Sequence, residues 1–175
     1  METQNTAYVL DNQNRITSVI GAWDTFAAEN SGVELSLEDV RGRSIWDFVA
    51  GEATRMWLET VFQFARLGGT PIERSYRCDS PDVKRFMCMR IVPEQGGSLR
   101  IEHEVLSTEH RTAPVHIKYG SAAMKNMKKR CSLCGRVYVN GWQEPHENFA
   151  DASNYIIVIY TVCEDCHRLM PGCGF

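Results

Sequence analysis

The sequence predicts an α+β fold, an antiparallel sheet with covering helices, followed by a small metal-bound C-terminal module. Three observations carry this expectation. Residues 1–109 run as two β-rich stretches, helical segments and three further β-rich stretches, an order that suits an antiparallel sheet covered on one face. Charge is sharply partitioned: residues 1–109 hold 11 Lys and Arg against 17 Asp and Glu, residues 110–130 hold 6 against none, and residues 131–175 hold 2 against 5. Four cysteines fall in two identical pairs, Cys131-x2-Cys134 and Cys163-x2-Cys166, with 28 residues between the pairs. The 175 residues thus divide into an N-terminal domain (1–109), a basic linker (110–130) and a C-terminal module (131–175).

In the N-terminal domain, Tyr8–Leu10 and Arg15–Ile20 are β-rich and are separated by Asp11-Asn12-Gln13-Asn14, whose residues suit a tight turn. They predict a hairpin. Ala22–Glu29 reads as a short helix with Trp23 and Phe26 three apart, ending before Asn30-Ser31-Gly32. Glu52–Leu67 is the main helix, with Leu58, Val61, Phe62 and Ala65 on one face and Gly68-Gly69 as its stop. Strands at Ile72–Cys78, Lys84–Val92 and Leu99–Ser107 complete the sheet. On the last of these, Leu99, Ile101, His103 and Val105 share one face, while Arg100, Glu102 and Glu104 share the other. His103 is therefore expected to point inward. On the strand before it, Met87, Met89 and Ile91 share a face, the methionines as flexible core filling.

A two-residue spacer lets both sulfurs of a CxxC pair face one point, so Cys131, Cys134, Cys163 and Cys166 can surround one tetrahedral Zn2+. Gly135 follows the first pair, where freedom to adopt positive φ helps turn N–H groups towards the sulfurs. His167 follows the second pair, and His167 or His146 could replace a cysteine as ligand. Four protein ligands leave no open position for water, which makes such a metal structural. Disulfides suit secreted chains, whereas Met1 leads into Glu2-Thr3-Gln4-Asn5 with neither a basic start nor an apolar stretch, so a cytoplasmic chain is expected. No apolar run approaches the roughly 18 residues that a membrane span requires. Cys78 and Cys88 read as buried apolar residues, and Cys173 as an exposed tail thiol.

The basic segment contains Pro114, Gly120 and Ser121, which suits a linker, ending in a helical turn over 122–130. Lys125, Lys128, Lys129 and Arg130 could neutralise nucleic-acid phosphates. The simpler reading is that they offset the negative charge of a tetrathiolate metal centre, because the module itself has only Arg136 and Arg168 as cations.

Asp11-x3-Arg15-Ile16, Trp23-x2-Phe26-Ala27, the stretch Val40-x-Gly42-Arg43-Ser44-Ile45-Trp46-Asp47-Phe48 and the three closing strands resemble a bacterial PAS sensory domain over about residues 5–109. Gly42-Arg43-Ser44-x-Trp46-Asp47-Phe48 and Tyr76-Arg77-Cys78-Asp79-Ser80-Pro81 are its more specific parts. The 131–166 region, with Trp142 and Glu144 after the first pair, resembles zinc-ribbon-like tails on bacterial PAS-containing sensors and response regulators. The PAS resemblance implies a concave sheet facing helices, a small cavity for a ligand or cofactor, and homodimerisation. Trp57, Val61, Tyr76, Met89 and His103 are the candidate lining residues. The light-sensing flavin branch carries a reactive Cys after Gly-Arg-Asn, and here Ile45 follows Gly42-Arg43-Ser44. Haem-binding relatives draw a proximal His from the long helix, which has none here, leaving His103 as the sole haem candidate in this region.

Nothing in the sequence matches a Ser-His-Asp motif, a phosphate-cradling Gly loop or HExxH, so no enzyme is expected. The reading is a sensor or adaptor acting by binding a small ligand or a protein partner. A nucleic-acid-binding regulator and a thiol redox sensor that releases zinc on oxidation are the alternatives.

Overall fold

The protein, described here by a computed structural model, is defined for residues 6–21, 37–120, 124 and 126–168. The helix expected at 22–29 and Cys173 lie outside the described residues.

The chain begins with the antiparallel hairpin β1 (Thr6–Leu10) and β2 (Ile16–Ile20). Its turn is held by the Asp11 carboxylate, which accepts from the N–H groups of Gln13 (2.8 Å) and Arg15 (2.9 Å). Asn14 takes positive φ there, as an Asx-type turn allows. A short helix α1 (Leu37–Val40) and a 3-10 turn (Ile45–Asp47), capped by the Ser44 hydroxyl, lead to the main helix α2 (Glu52–Gly68). Helix α2 ends at Gly69, whose left-handed φ of 62° returns an N–H to the Ala65 carbonyl. Trp57, Val61, Phe62 and Ala65 form its buried face. Three long strands, β3 (Ile72–Arg77), β4 (Val83–Pro93) and β5 (Leu99–His110), complete a five-stranded antiparallel sheet of order β2-β1-β5-β4-β3.

Period-two alternation places Met89 and Ile91 of β4 and Leu99 and Ile101 of β5 beneath α2, where they join Leu10, Ile16, Val61 and Phe62 in the main core. The chain therefore has the predicted α+β class, with helices on one face of an antiparallel sheet. The strand bounds differ from the sequence reading by at most a few residues.

The second half is more than a module on a linker. Residues 110–130, expected to be a basic linker with a helical end, supply β6 (Ile117–Tyr119) and β7 (Lys128–Cys131) to a second five-stranded sheet. With β8 (Val137–Tyr138), β9 (Trp142–Gln143) and β10 (Ile156–Thr161), its order is β6-β10-β7-β8-β9. Strand β10 pairs in parallel with both β6 and β7. Its alternation buries Ile156 and Val158 with Val115 and Val137 in a small separate core. Within the expected helical end, of which residues 122, 123 and 125 lie outside the described residues, Lys128–Arg130 are strand because Lys128–Cys131 finds a partner in β10, 30 residues later, that a linker reading does not supply. A short helix α3 (Glu164–Arg168) follows.

Candidate functional site

Each cysteine pair sits where β structure ends. Cys131 closes β7 and Cys134 lies in the turn to β8, while Cys163 precedes α3 and Cys166 lies within it. Gly135 adopts φ of 73° and donates its N–H to the Cys131 carbonyl at 3.0 Å, which folds the first knuckle back on itself. The parallel pairing of β7 and β10 sets Thr161 beside Cys131, and this brings the second knuckle alongside the first.

All four sulfurs lie within 4.8 Å of one another, and Cys134 Sγ and Cys163 Sγ are 3.8 Å apart. A tetrahedron with metal–sulfur bonds of about 2.3 Å has sulfur–sulfur edges of about 3.8 Å, whereas a disulfide needs about 2.05 Å. The spacing suits four ligands around a metal ion, and the six described cysteines are all unbridged. The N–H of Cys163 points at Cys131 Sγ at 3.4 Å, the kind of donor that orients a thiolate. Hydrogen bonds from the Cys134 and Cys166 thiols drive Cys131 far below the usual thiol range, aided by the N–H groups of Cys134 and Cys163. The same contact with Cys131 pushes Cys134 up to about 12 and Cys166 well above the thiol range. One thiolate can be stabilised by the protons of its neighbours; four in this volume require a cation.

Among the described residues the histidine alternatives do not reach the cluster. His167 is exposed on α3, and His146 packs against Phe149 with ring centroids 3.8 Å apart.

A cavity of about 320 Å³ opens between the sheet, α2 and the first knuckle. From the N-terminal half it is lined by Tyr8, Ile45, Phe48, Thr54, Trp57, Leu58, Tyr76, Met89 and His103; from the C-terminal half by Ser132, Leu133 and Tyr160. Of the residues expected there, Trp57, Tyr76, Met89 and His103 line it, while Val61 lies one turn away in the closed core at 1% exposure. The walls are apolar around one polar pair, Tyr76 Oη and His103 Nδ1 at 2.8 Å, with the Tyr8 ring 5.5 Å from the imidazole. Burial pushes His103 down to about 4 and Tyr76 well above the usual phenol range, so both are neutral near pH 7. With Tyr76 as donor, Nε2 carries the ring proton.

The spacer residues of the first CxxC are what bring the halves together. Ser132 hydrogen-bonds Thr54 of α2 through their hydroxyls, and the Leu133 carbonyl accepts from the Arg77 N–H at 2.7 Å, at the end of edge strand β3. Leu133, Val162 and Cys166 pack into the main core. Gly51 lies so close to Tyr160 that a Cβ there would come within 2.7 Å of the tyrosine Cβ. Beside this junction Asp79, with a side chain 4% exposed, receives Arg77 (2.7 and 2.8 Å), Arg111 (2.8 Å) and Arg130 (3.4 Å), and Glu144 takes the other side of Arg77 at 3.0 Å. Hydrogen bonds and charge from Asp79 and Glu144 outweigh the burial of Arg77 and hold its pKa above the usual value.

Sequence reasoning missed Ser132, Leu133 and Tyr160 as cavity residues and Asp79 as the centre of an ion cluster. The one available signal was Leu133, an apolar residue inside a polar cysteine spacer. Asp79 stood out only as one residue of the Tyr76–Pro81 stretch that resembles a PAS domain. Cys78, just past β3, and Cys88, on β4, are half-buried and are not among the four clustered sulfurs, and burial raises the Cys78 thiol.

No protein-family model matches the chain, and no curated protein matches it. Among solved structures, a domain of an HTR-like protein from Haloarcula marismortui is similar at 14% identity and a TM-score of 0.45, over 59% of this chain and 99% of that one. No helix among the described residues is long and apolar enough to cross a membrane.

Proposed function

We propose that the protein is a sensory or adaptor protein that works by binding rather than by catalysis: a small apolar or aromatic ligand occupies the cavity, and a structural Zn2+ on Cys131, Cys134, Cys163 and Cys166 holds the knuckle that closes it. The observation that carries this reading is the shared wall. Ser132 and Leu133 stand between two metal ligands and also line the cavity opposite Tyr76 and His103. A ligand touching Leu133 therefore touches the frame of the metal site, and a shift in either is felt by the other. The apolar walls favour burial of an apolar body, and the Tyr76–His103 pair offers it one polar anchor.

The PAS resemblance supports the sensory part and the homodimer that goes with it. A protein partner would receive the signal through the C-terminal sheet. In the nucleic-acid alternative two of the six cations of residues 110–130 contribute little, because the Arg111 and Arg130 side chains are largely buried beside Asp79 and out of reach of an extended surface ligand.

Native mass spectrometry of the full chain, with an absorption spectrum, tests both halves. The expected result is one Zn2+ per chain and a small bound compound that Met89→Trp, which fills the cavity, displaces while zinc stays. Absence of zinc would remove the metal half. A Soret band lost in His103→Ala would replace the apolar ligand by haem. A light-scattering mass of one chain at all concentrations would remove the dimer.

A further inference from the structure

A second cavity, of about 310 Å³, lies between the two sheets, beside the Asp79 cluster and distinct from the apolar one. Arg111 and Arg130 stand in its wall with side chains only 6% and 10% exposed, together with His116, Tyr155, Tyr160 and Ser80. Three guanidiniums, of Arg77, Arg111 and Arg130, here face two carboxylates, Asp79 and Glu144. Asp79 Oδ2 alone is shared by the Nη2 atoms of Arg77 (2.7 Å), Arg111 (2.8 Å) and Arg130 (3.4 Å), and Arg77 also holds Asp79 Oδ1. A guanidinium brings five N–H donors in a rigid fork. Among the described residues, Arg111 beyond Asp79 has only the Pro145 carbonyl at 3.4 Å, and its buried Nε has no partner.

The cysteine cluster does not answer this demand. Arg130 and Arg77 turn to the first knuckle, reaching the carbonyls of Gly135 (3.2 Å) and Cys134 (3.4 Å), whereas Arg111 makes no such contact. Burial lowers the Arg111 pKa, and Arg77 and Arg130 add to the lowering against the pull of Asp79 and Glu144. The one carboxylate in the wall, Asp79, is already shared among three cations. The remaining polar groups, an imidazole, two phenols and a hydroxyl, are all able to donate to an oxygen.

We propose that this inter-sheet cavity is a binding site for a small oxyanion, a carboxylate or a phosphate, held by Arg111 and Arg130 with His116 and the tyrosine hydroxyls around it. The anion adds counter-charge beside the three guanidiniums that share Asp79. Because Arg111 follows β5 while Arg130 and Tyr160 belong to β7 and β10, the anion also ties the two sheets together. The proposal does not depend on what occupies the apolar cavity.

Isothermal titration of the full, metal-loaded chain with sodium acetate and with inorganic phosphate, each at constant ionic strength against chloride, tests it. One saturable site per chain is expected, with Arg111→Gln weakening it by about tenfold or more and His116→Gln by a smaller factor. Tighter acetate binding identifies a carboxylate ligand, and tighter phosphate binding a phosphate. If circular dichroism shows that Arg111→Gln does not fold, His116→Gln and Tyr155→Phe, the latter at an exposed position, decide. No saturable heat above chloride for either anion overturns the proposal, and so does binding unchanged in every folded variant.

Discussion

The two sheets formed by the described residues contain five strands each, yet they are held together by different physics. The first has strands of up to 12 residues and a continuous apolar core in which Leu10, Val61, Phe62, Ile91, Leu99 and Ile101 are at most 1% exposed. The second has two strands of only two residues and a core of four buried side chains, Val115, Val137, Ile156 and Val158. Burial at about 25 cal/mol per Å2 of apolar surface stabilises the first; the second has too little such surface to fold on that alone. It is completed by three other devices, the cysteine cluster, the Asp79 ion cluster and the packing of Leu133 and Val162 into the neighbouring core. The C-terminal half packs against the first sheet through these contacts. It borrows core from the first sheet and in return closes that sheet's cavity.

The strongest way to break this contrast is to remove the metal site. Structural zinc contributes an apparent ~10–16 kcal/mol in small peptides near neutral pH, so Cys131→Ser or Cys166→Ser should abolish zinc binding and make residues 115–168 protease-sensitive. The first sheet should persist, but with its cavity open on the Leu133 side. Limited proteolysis with elemental analysis measures the first effect, and fluorescence quenching of Trp57 the second. Full zinc content in both variants would show that the four cysteines have been misassigned.

Next in size is Asp79→Ala. It strips three largely buried guanidiniums of their shared carboxylate and is expected to cost about 3–5 kcal/mol, read from urea unfolding. If the halves are coupled as described, both lose stability in one transition. Two separate transitions, with the first sheet unaffected, would instead make the C-terminal half independent.

Acid should weaken the first half through a group that the second half covers. His103 has a folded pKa of about 4 against an ordinary value of about 6.5, so the unfolded chain binds the extra proton between these values. Stability from this source is present above pH about 6.5 and is lost as pH falls towards 4, by up to about 3 kcal/mol. His103→Gln should flatten that part of the stability–pH profile. An unchanged slope would place His103 in contact with bulk water.

A smaller effect is expected from Gly51→Ala, where φ of 87° and the 2.7 Å approach of Tyr160 both oppose a side chain. About 1–3 kcal/mol is expected, as a lower melting temperature with zinc retained. Smallest of all, Cys88→Ala should leave zinc stoichiometry unchanged, since Cys88 lies on β4, away from the cluster.

Much of this was legible in the residues. The alternation of Leu99, Ile101 and His103, the 3.6-residue face of Val61, Phe62 and Ala65, the Gly68-Gly69 stop and the two CxxC spacers are local patterns, and local patterns follow from backbone geometry alone. They determined the α+β class, the main helix, all five strands of the first sheet and the four clustered sulfurs. Tertiary structure alone decided that Lys128–Cys131 is a strand, because its partner Val158–Thr161 is 30 residues away and a short basic run carries no period of its own. It also decided that Ser132 and Leu133 wall the cavity and that Asp79 gathers Arg77, Arg111 and Arg130, contacts spanning up to 78 positions in the chain. Such contacts arise when two partly finished surfaces, an open sheet edge and a small sheet with too little core, bury each other, and no spacing within either segment encodes that encounter.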